Sequence, residues 1–321
     1  MKVSACIPHY FKPSSDQNGY GSTRQTARVT RMLSLGRCIG SLLSLQRSSR
    51  NCLFTLADKK IDHFAASGDQ AREPIEIALT VCTDGENMLD EVLEEFQDFI
   101  EVKTFKLEDP RQLPITARDW LLQSNSTPAD ADLYVYLEDD LVINDEEFFD
   151  KQSWFLSRLQ NTHCLMPHRY ELVMRRKVGR LLIDGPLRPS LVRQFSQPQL
   201  NAGRGVYRGH GKVSFDIAEN PHSGLFVVNR EQRDFLSTQE LPVDGFISPL
   251  ETAATLTVLK YFKVCKPSLD CHSFLTIEHG HPSFTSFMNQ WEHRPISTSR
   301  GTSPLTQNPP FVQTPPSRSP L

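Results

Sequence analysis

Leu133-Tyr134-Val135-Tyr136-Leu137-Glu138-Asp139-Asp140-Leu141 joins five apolar and aromatic residues to three consecutive carboxylates. A short apolar run of this kind reads as a strand. In open α/β sheets ligands bind outside the carboxyl ends of the strands, which is where these acids fall. Three adjacent carboxylates repel one another, and each tends to hold a proton unless a cation compensates. Oxygen ligands with open positions suit Mg²⁺ or Mn²⁺, which keep waters and bind phosphates. The competing reading is an acidic loop leading into a helix over 145–156, whose N-terminus favours negative charge. The spacing of a calcium-binding EF-hand loop is absent.

Working outward, the pattern alternates strand and helix. Val3 to Ile7 reads as a strand ending at Pro8, and 28–45 as an amphipathic helix. The polar stretch 46–74 reads as an insertion. Ile75 to Cys82 is a second strand ending at Asp84, followed by helix over 86–99, strand over 100–105 and helix over 115–123. After the acidic strand come strands over 165–170, 172–174 and 224–228, a helix over 249–262 and a short strand near Val264. This order predicts an α/β fold with a doubly wound, mostly parallel sheet. The stretch 175–220, rich in Gly, Pro, Arg and Gln, reads as a second, structureless insertion, of the kind that is functional or mobile. One domain is expected over 1–292, with halves meeting near 145, and a disordered Pro/Ser/Thr-rich tail over 293–321.

Composition narrows the function classes. The 321 residues carry 35 Lys and Arg against 38 Asp and Glu, a net charge of −3 that offers no basic excess for nucleic acid. No run approaches the ~18 apolar residues of a membrane span, and no secretion signal opens the chain. Seven scattered cysteines read as those of a reduced, cytoplasmic protein. Walker A, His-Glu-x-x-His and Gly-x-Ser-x-Gly sequences are all missing. The glycines at 203, 205, 209 and 211 lack a dinucleotide-loop spacing and read as a flexible loop.

Tyr136-Leu137-Glu138-Asp139-Asp140-Leu141-Val142-Ile143, followed by Phe148-Phe149, resembles the acidic metal motif of GT-A glycosyltransferases, especially its Glu-Asp-Asp form in some N-acetylglucosaminyltransferases. A first strand ending in Ile7-Pro8, a helix carrying Arg37-Cys38-Ile39 and Ser41-Leu42, a strand ending in Asp84 and a helix with Ala117-Arg118-Asp119 are similar to the opening of the family 2 enzymes. The likeness in element order runs over 2–282 and departs at the 46–74 insertion and in the acidic motif itself.

The resemblance implies a hexosyltransferase-type enzyme that uses Mn²⁺ or Mg²⁺. It would move a sugar from a nucleotide-diphosphate donor, foremost a UDP-sugar, to a hydroxyl of a carbohydrate or lipid-linked acceptor. On that footing Asp140 binds the metal together with His279 or His281, and Glu138 and Asp139 face the ribose, the sugar or a metal-bound water. Pro8, His9 and Tyr10 begin a loop over the nucleotide, Asp84 meets the base, and Arg118 contacts the diphosphate. Ser223 and Gly224 lie on the acceptor strand. Glu251, at the start of the 249–262 helix, is the general base of an inverting transfer, with Asp244 as its substitute.

Blander readings stand beside these. Arg118 is equally a surface arginine, Glu251 a carboxylate serving the helix dipole, and the histidines structural or part of a zinc site with Cys265 and Cys271. The arginines of 175–220 either greet an anionic acceptor or are solvated. At the level of the whole chain, the alternatives are a GT-A-shaped binding protein without transfer activity and a sugar nucleotidyltransferase.

Overall fold

The computed structural model describes residues 1–13, 25–65, 72–123, 130–173 and 179–285. Along the chain run β1 (Lys2–Pro8), α1 (Arg28–Leu43), β2 (Asn51–Thr55), β3 (Lys60–Phe64), β4 (Glu76–Thr83), α2 (Asp90–Glu95), β5 (Glu101–Thr104), α3 (Leu113–Gln123) and β6 (Leu133–Leu137). There follow β7 (Leu141–Val142), α4 (Phe148–Leu156), β8 (His163–Leu165), β9 (His168–Val173), β10 (Gly179–Leu182), α5 (Pro189–Val192), β11 (Gln199–Tyr207), β12 (Gly211–Ile217), β13 (Leu225–Asn229) and α6 (Arg230–Ser237). Last come α7 (Pro249–Glu251), a π-helical turn (Thr252–Leu256), α8 (Thr257–Leu259), β14 (Lys263–Pro267) and β15 (Thr276–His279).

The main sheet has the order β13-β6-β1-β4-β5. Its four strands β6, β1, β4 and β5 run parallel, and β13 pairs antiparallel with β6. Every residue of β6 is buried, as a parallel strand covered on both faces requires. The doubly wound, mostly parallel α/β architecture expected from the sequence is present. Its register brings the carboxyl ends of β1, β4 and β6 together, so Pro8, Thr83 and Leu137 deliver the residues that follow them to one edge of the sheet. α1 covers this sheet with Leu35, Cys38, Ile39 and Leu42 and turns Arg31 and Ser34 inward as well. Val29 and Leu33, expected on that same face, are instead 67% and 63% exposed.

The helix expected from 86 begins only at Asp90, because the Asp84 carboxylate accepts the N–H groups of Glu86 and Asn87 at 2.9 and 2.7 Å and folds 84–87 into a turn. The 46–74 insertion contains the antiparallel hairpin of β2 and β3.

The largest correction concerns 175–220, where β10, α5, β11 and β12 replace the expected structureless segment. β12 pairs with β11 on one side and β14 on the other. The β11–β12 hairpin is held by an aromatic cluster in which Trp154 and Phe274 both meet Tyr207 and Phe215. Gly205 lies so close that a Cβ would stand 2.6 Å from the Trp154 ring. That glycine serves close packing within a strand, not flexibility. Arg175, Arg176 and the tail over 293–321 lie outside the described residues. No helix among the described residues is long and apolar enough to cross a membrane.

At the centre of the sheet Tyr136 stacks on Phe226, with ring centroids 5.5 Å apart and planes 9° from parallel. Its hydroxyl is buried without a hydrogen-bond partner, and an unsatisfied buried polar group is costly. Tyr136→Phe keeps the stacking and removes that group, so it is expected to raise the unfolding free energy by about 1 kcal/mol in a denaturant titration. A variant less stable than the parent would disprove this account of the strand.

Candidate active site

Each of the three carboxylates after β6 has its own surroundings. Asp139, 8% exposed, receives the Arg31 Nη2 donor on both oxygens at 2.7 Å. His9 completes its shell at 2.6 Å through Nδ1. Because His9 Nε2 accepts the Leu89 N–H at 3.1 Å, the imidazole proton sits on Nδ1 and is donated to Asp139. These partners hold the Asp139 carboxyl below its usual range despite burial.

Asp140 is less completely served. Its Oδ2 lies 3.4 Å from Arg31 Nη1 and 3.5 Å from His279 Nε2, while Oδ1 is buried with no partner. Burial opposes its charge, but His279 and Arg31 prevail and hold the carboxyl well below its usual range. His279 arrives through sheet register, since β15 pairs with β7 and sets His279 opposite Leu141. The next residue, Gly280, donates its N–H to the Asp140 carbonyl at 2.6 Å, and a Cβ there would stand 3.0 Å from that oxygen. β15 also pairs with β9, which carries Glu171 to within 2.8 Å of His279 Nδ1. Burial works against a charged His279 ring, yet Asp140 and Glu171 raise it to about 9. His281 Nδ1 is buried without a partner.

Glu138 is the least compensated. Burial, then the neighbouring Asp140 charge, pushes it up to about 8, and Oε1 has no partner. Its Oε2 lies against Gly224, where φ is +69° and a Cβ would approach to 2.7 Å. Gly224 therefore makes room for the Glu138 side chain itself. Glu251 is close enough to add to the raised affinity of Glu138 for its proton. It is half-buried, and Ser248 Oγ donates to its Oε2.

Other expected site residues are placed differently. Pro8 and His9 are buried within the fold, so only the half-buried Tyr10 of that trio reaches solvent. Asp84 spends its carboxylate on its own turn and on Asn87 Nδ2 at 2.7 Å. Ser223 Oγ donates to the Pro167 carbonyl at 2.7 Å. Asp244 is exposed. Arg118, expected at the diphosphate, is fully buried on α3, donating to the Pro242 carbonyl, to Thr257 Oγ1 at 3.1 Å and to Asp119. Its fork fastens α3 to the segments around α7 and α8. Cys265 is buried and Cys271 lies against Ser214 Oγ at 3.5 Å.

The sequence reading missed four residues that shape the site. Arg31 was hidden among the apolar residues of α1, and Glu171 within a strand pattern. Arg169 and Lys266 hold the fully buried Asp184: Arg169 donates through its backbone N–H at 2.8 Å and Nε at 2.9 Å, and Lys266 Nζ donates at 2.8 Å. Among the described residues no group of three or more His, Cys, Asp and Glu side chains is disposed to hold a metal ion as it stands. The chemistry of the donors nevertheless fits a partly hydrated hard cation. Asp140 has an orphaned oxygen, and His279, fixed by Glu171 through Nδ1, turns Nε2 toward it, an arrangement that orients metal-binding histidines.

No protein-family model matches the chain, and no curated protein sequence matches it. Among solved structures it is similar to S. aureus TarS 1-349, at 12% identity and a TM-score of 0.38, covering 83% of this chain and 58% of that one. It is also similar to S. aureus TarS, at 12% and 0.39, covering 83% of this chain and 35% of that one. GalNAc-T7 with UDP, GalNAc and Mn²⁺ is similar at 14% and 0.40, covering 87% and 43%. The chain thus spans well under two thirds of the length of each. Similarities of this size carry no chemistry, which has to come from the side chains.

Replacing Arg118 with Met keeps the aliphatic stem and removes every donor. The variant is expected to lose about 2–3 kcal/mol of stability while any nucleotide affinity of the folded protein stays unchanged. Lost affinity in a folded Arg118→Met protein would restore the diphosphate role to this residue.

Proposed function

We propose that the chain is a GT-A-type glycosyltransferase that moves a sugar from a nucleoside-diphosphate sugar, with a UDP-sugar foremost, to an acceptor hydroxyl. The observation that carries the reading is the pair of orphaned buried oxygens, Asp140 Oδ1 and Glu138 Oε1, at the carboxyl end of a central parallel strand beside an oriented histidine. A buried carboxylate oxygen with no partner is costly to maintain, and a bound cation relieves it. Mg²⁺ or Mn²⁺ would be held by Asp140 and His279, with His281 next in reach and water or phosphate completing the shell. When bound, such an ion neutralises charge on a departing diphosphate as a Lewis acid.

The other groups act through binding, orientation and proton transfer. Glu171 fixes the His279 ring so that Nε2 faces Asp140. Arg31 and His9 keep Asp139 ionised and anchor the strand end to α1 and β1, which makes Asp139 a positioning residue in place of a ribose contact. Glu251, held by Ser248 beside Glu138, is the candidate to take the acceptor hydroxyl proton, giving inversion at the anomeric carbon. Asp84 and Tyr10 lie together at the end of β4, where Asp84 adds to the burial that raises the Tyr10 phenol, and they are the candidates for the base and ribose side.

The test is incubation with UDP-, GDP- and TDP-sugars and Mn²⁺. Donor hydrolysis or transfer is expected, abolished by chelation and by Asp140→Asn. Glu251→Gln is expected to lower turnover by about 10²- to 10⁴-fold while leaving nucleotide binding intact. No nucleotide bound with any divalent ion would sink the reading.

A further inference from the structure

The acidic site also contains a positive pole. Arg169 is nine-tenths buried, with a side-chain exposure of 9%, and by strand alternation shares the face of β9 that carries Glu171 to His279 beside Asp140. Its backbone N–H and Nε are spent on Asp184. Neither Nη group makes a hydrogen bond to a described residue, and neither carboxylate is bonded to it, as the orphaned Glu138 Oε1 and Asp140 Oδ1 attest.

The side chain is rigidly held. Asp184 is fully buried and accepts Arg169 on one oxygen through Nε and on the other through the backbone, with Lys266 joining the second. Lys266 in turn donates to the His222 carbonyl at 2.7 Å, so its ammonium is spent on Asp184 and the chain before β13. A guanidinium whose orientation is fixed through Nε presents its Nη edge as a preorganised two-pronged donor. A ligand that carries both an anion and a cation would offer the first to this edge and the second to the orphaned Asp140 oxygen.

We propose that Arg169, held by Asp184, is an anion-binding residue of this site and takes the terminal phosphate of a nucleoside diphosphate. The inference rests on the functional reading above and assigns the anion contact, expected at Arg118, to a residue on β9. It also moves Asp184, within the stretch expected to choose the acceptor, to the donor side as a positioning residue.

Phosphate-number dependence tests this in the full-length protein. Dissociation constants are measured by calorimetry with Mn²⁺ for UDP and UMP, and for GDP and GMP, using the parent, Arg169→Gln, Arg169→Lys and Lys266→Gln. Arg169→Gln is expected to weaken diphosphate binding by about 10- to 100-fold, the range of a lost charge-assisted bond, and to leave monophosphate binding within about twofold. Arg169→Lys, which keeps the charge but not the fork, is expected to recover part of the loss. Lys266→Gln disturbs the same buried cluster, and is expected to leave the diphosphate-to-monophosphate ratio unchanged.

A merely structural arginine predicts that Arg169→Gln and Lys266→Gln weaken both ligands alike, and that result overturns the assignment. So does an unchanged ratio in Arg169→Gln when the parent binds diphosphate. If the parent binds no nucleoside diphosphate at all, the functional reading falls and takes this inference with it. Should Arg169→Gln not fold, the Lys variant decides, since a change in its ratio with monophosphate affinity kept supports the assignment and no change overturns it.

Discussion

Three neighbouring carboxylates at the end of one buried strand cannot all be charged in an apolar interior without compensation, and the way each is compensated organises the molecule. At about 4 Å and an effective dielectric of about 20, a pair of like charges costs roughly 4 kcal/mol. The fold answers with partners drawn from distant parts of the chain. Arg31 from α1 and His9 from the end of β1 serve Asp139, at sequence separations of 108 and 130 residues. His279, brought back by β15, serves Asp140, and Glu138 retains its proton. The site therefore exists only when the C-terminal strands have closed onto the N-terminal sheet. Removing one partner of such a buried pair is strongly destabilising, so the same contacts tie folding to site assembly.

Close packing makes the closure possible. Gly224 lets the chain entering β13 pass the Glu138 carboxylate, and Gly280 lets the chain between two histidines lie on the Asp140 backbone. A methyl group at either position would meet an atom of the acidic segment at 3.0 Å or less. Both glycines follow the acids in the sequence, one before β13 and one after β15, and define how near the second half of the chain approaches the first.

The sequence carried the first half of the fold well, because β1, β4 and β6 are continuous apolar runs and their order with α1 and α3 is the signature of a parallel sheet. The acidic strand end was legible for the same reason, as charge abruptly following apolar residues has one place to go in such a sheet. What escaped were features that depend on tertiary contact. The β11–β12 hairpin reads as loop because its glycines and arginines lower strand propensity, and only the Trp154 face explains Gly205. Arg118 and Arg169 were indistinguishable from surface arginines, since nothing local announces that a guanidinium will be buried. The difference between them lies in the partners of each fork, Pro242 and Thr257 for one and Asp184 for the other.

The charge pattern also constrains what the site can welcome. A neutral sugar alone would leave Asp140 Oδ1 and Glu138 Oε1 without partners and add nothing for the Arg169 edge. A free phosphate would satisfy the arginine but face carboxylates within a low-dielectric environment, where repulsion is weakly screened. A divalent ion alone would satisfy the acids and oppose the arginine. Only a ligand carrying both a cation and an anion relieves both poles at once, which is the character of a metal-bound diphosphate. The near-neutral net charge of −3 thus masks a local separation of charge, with the acids at the end of β6 and an arginine tied to Asp184, which Lys266 also holds.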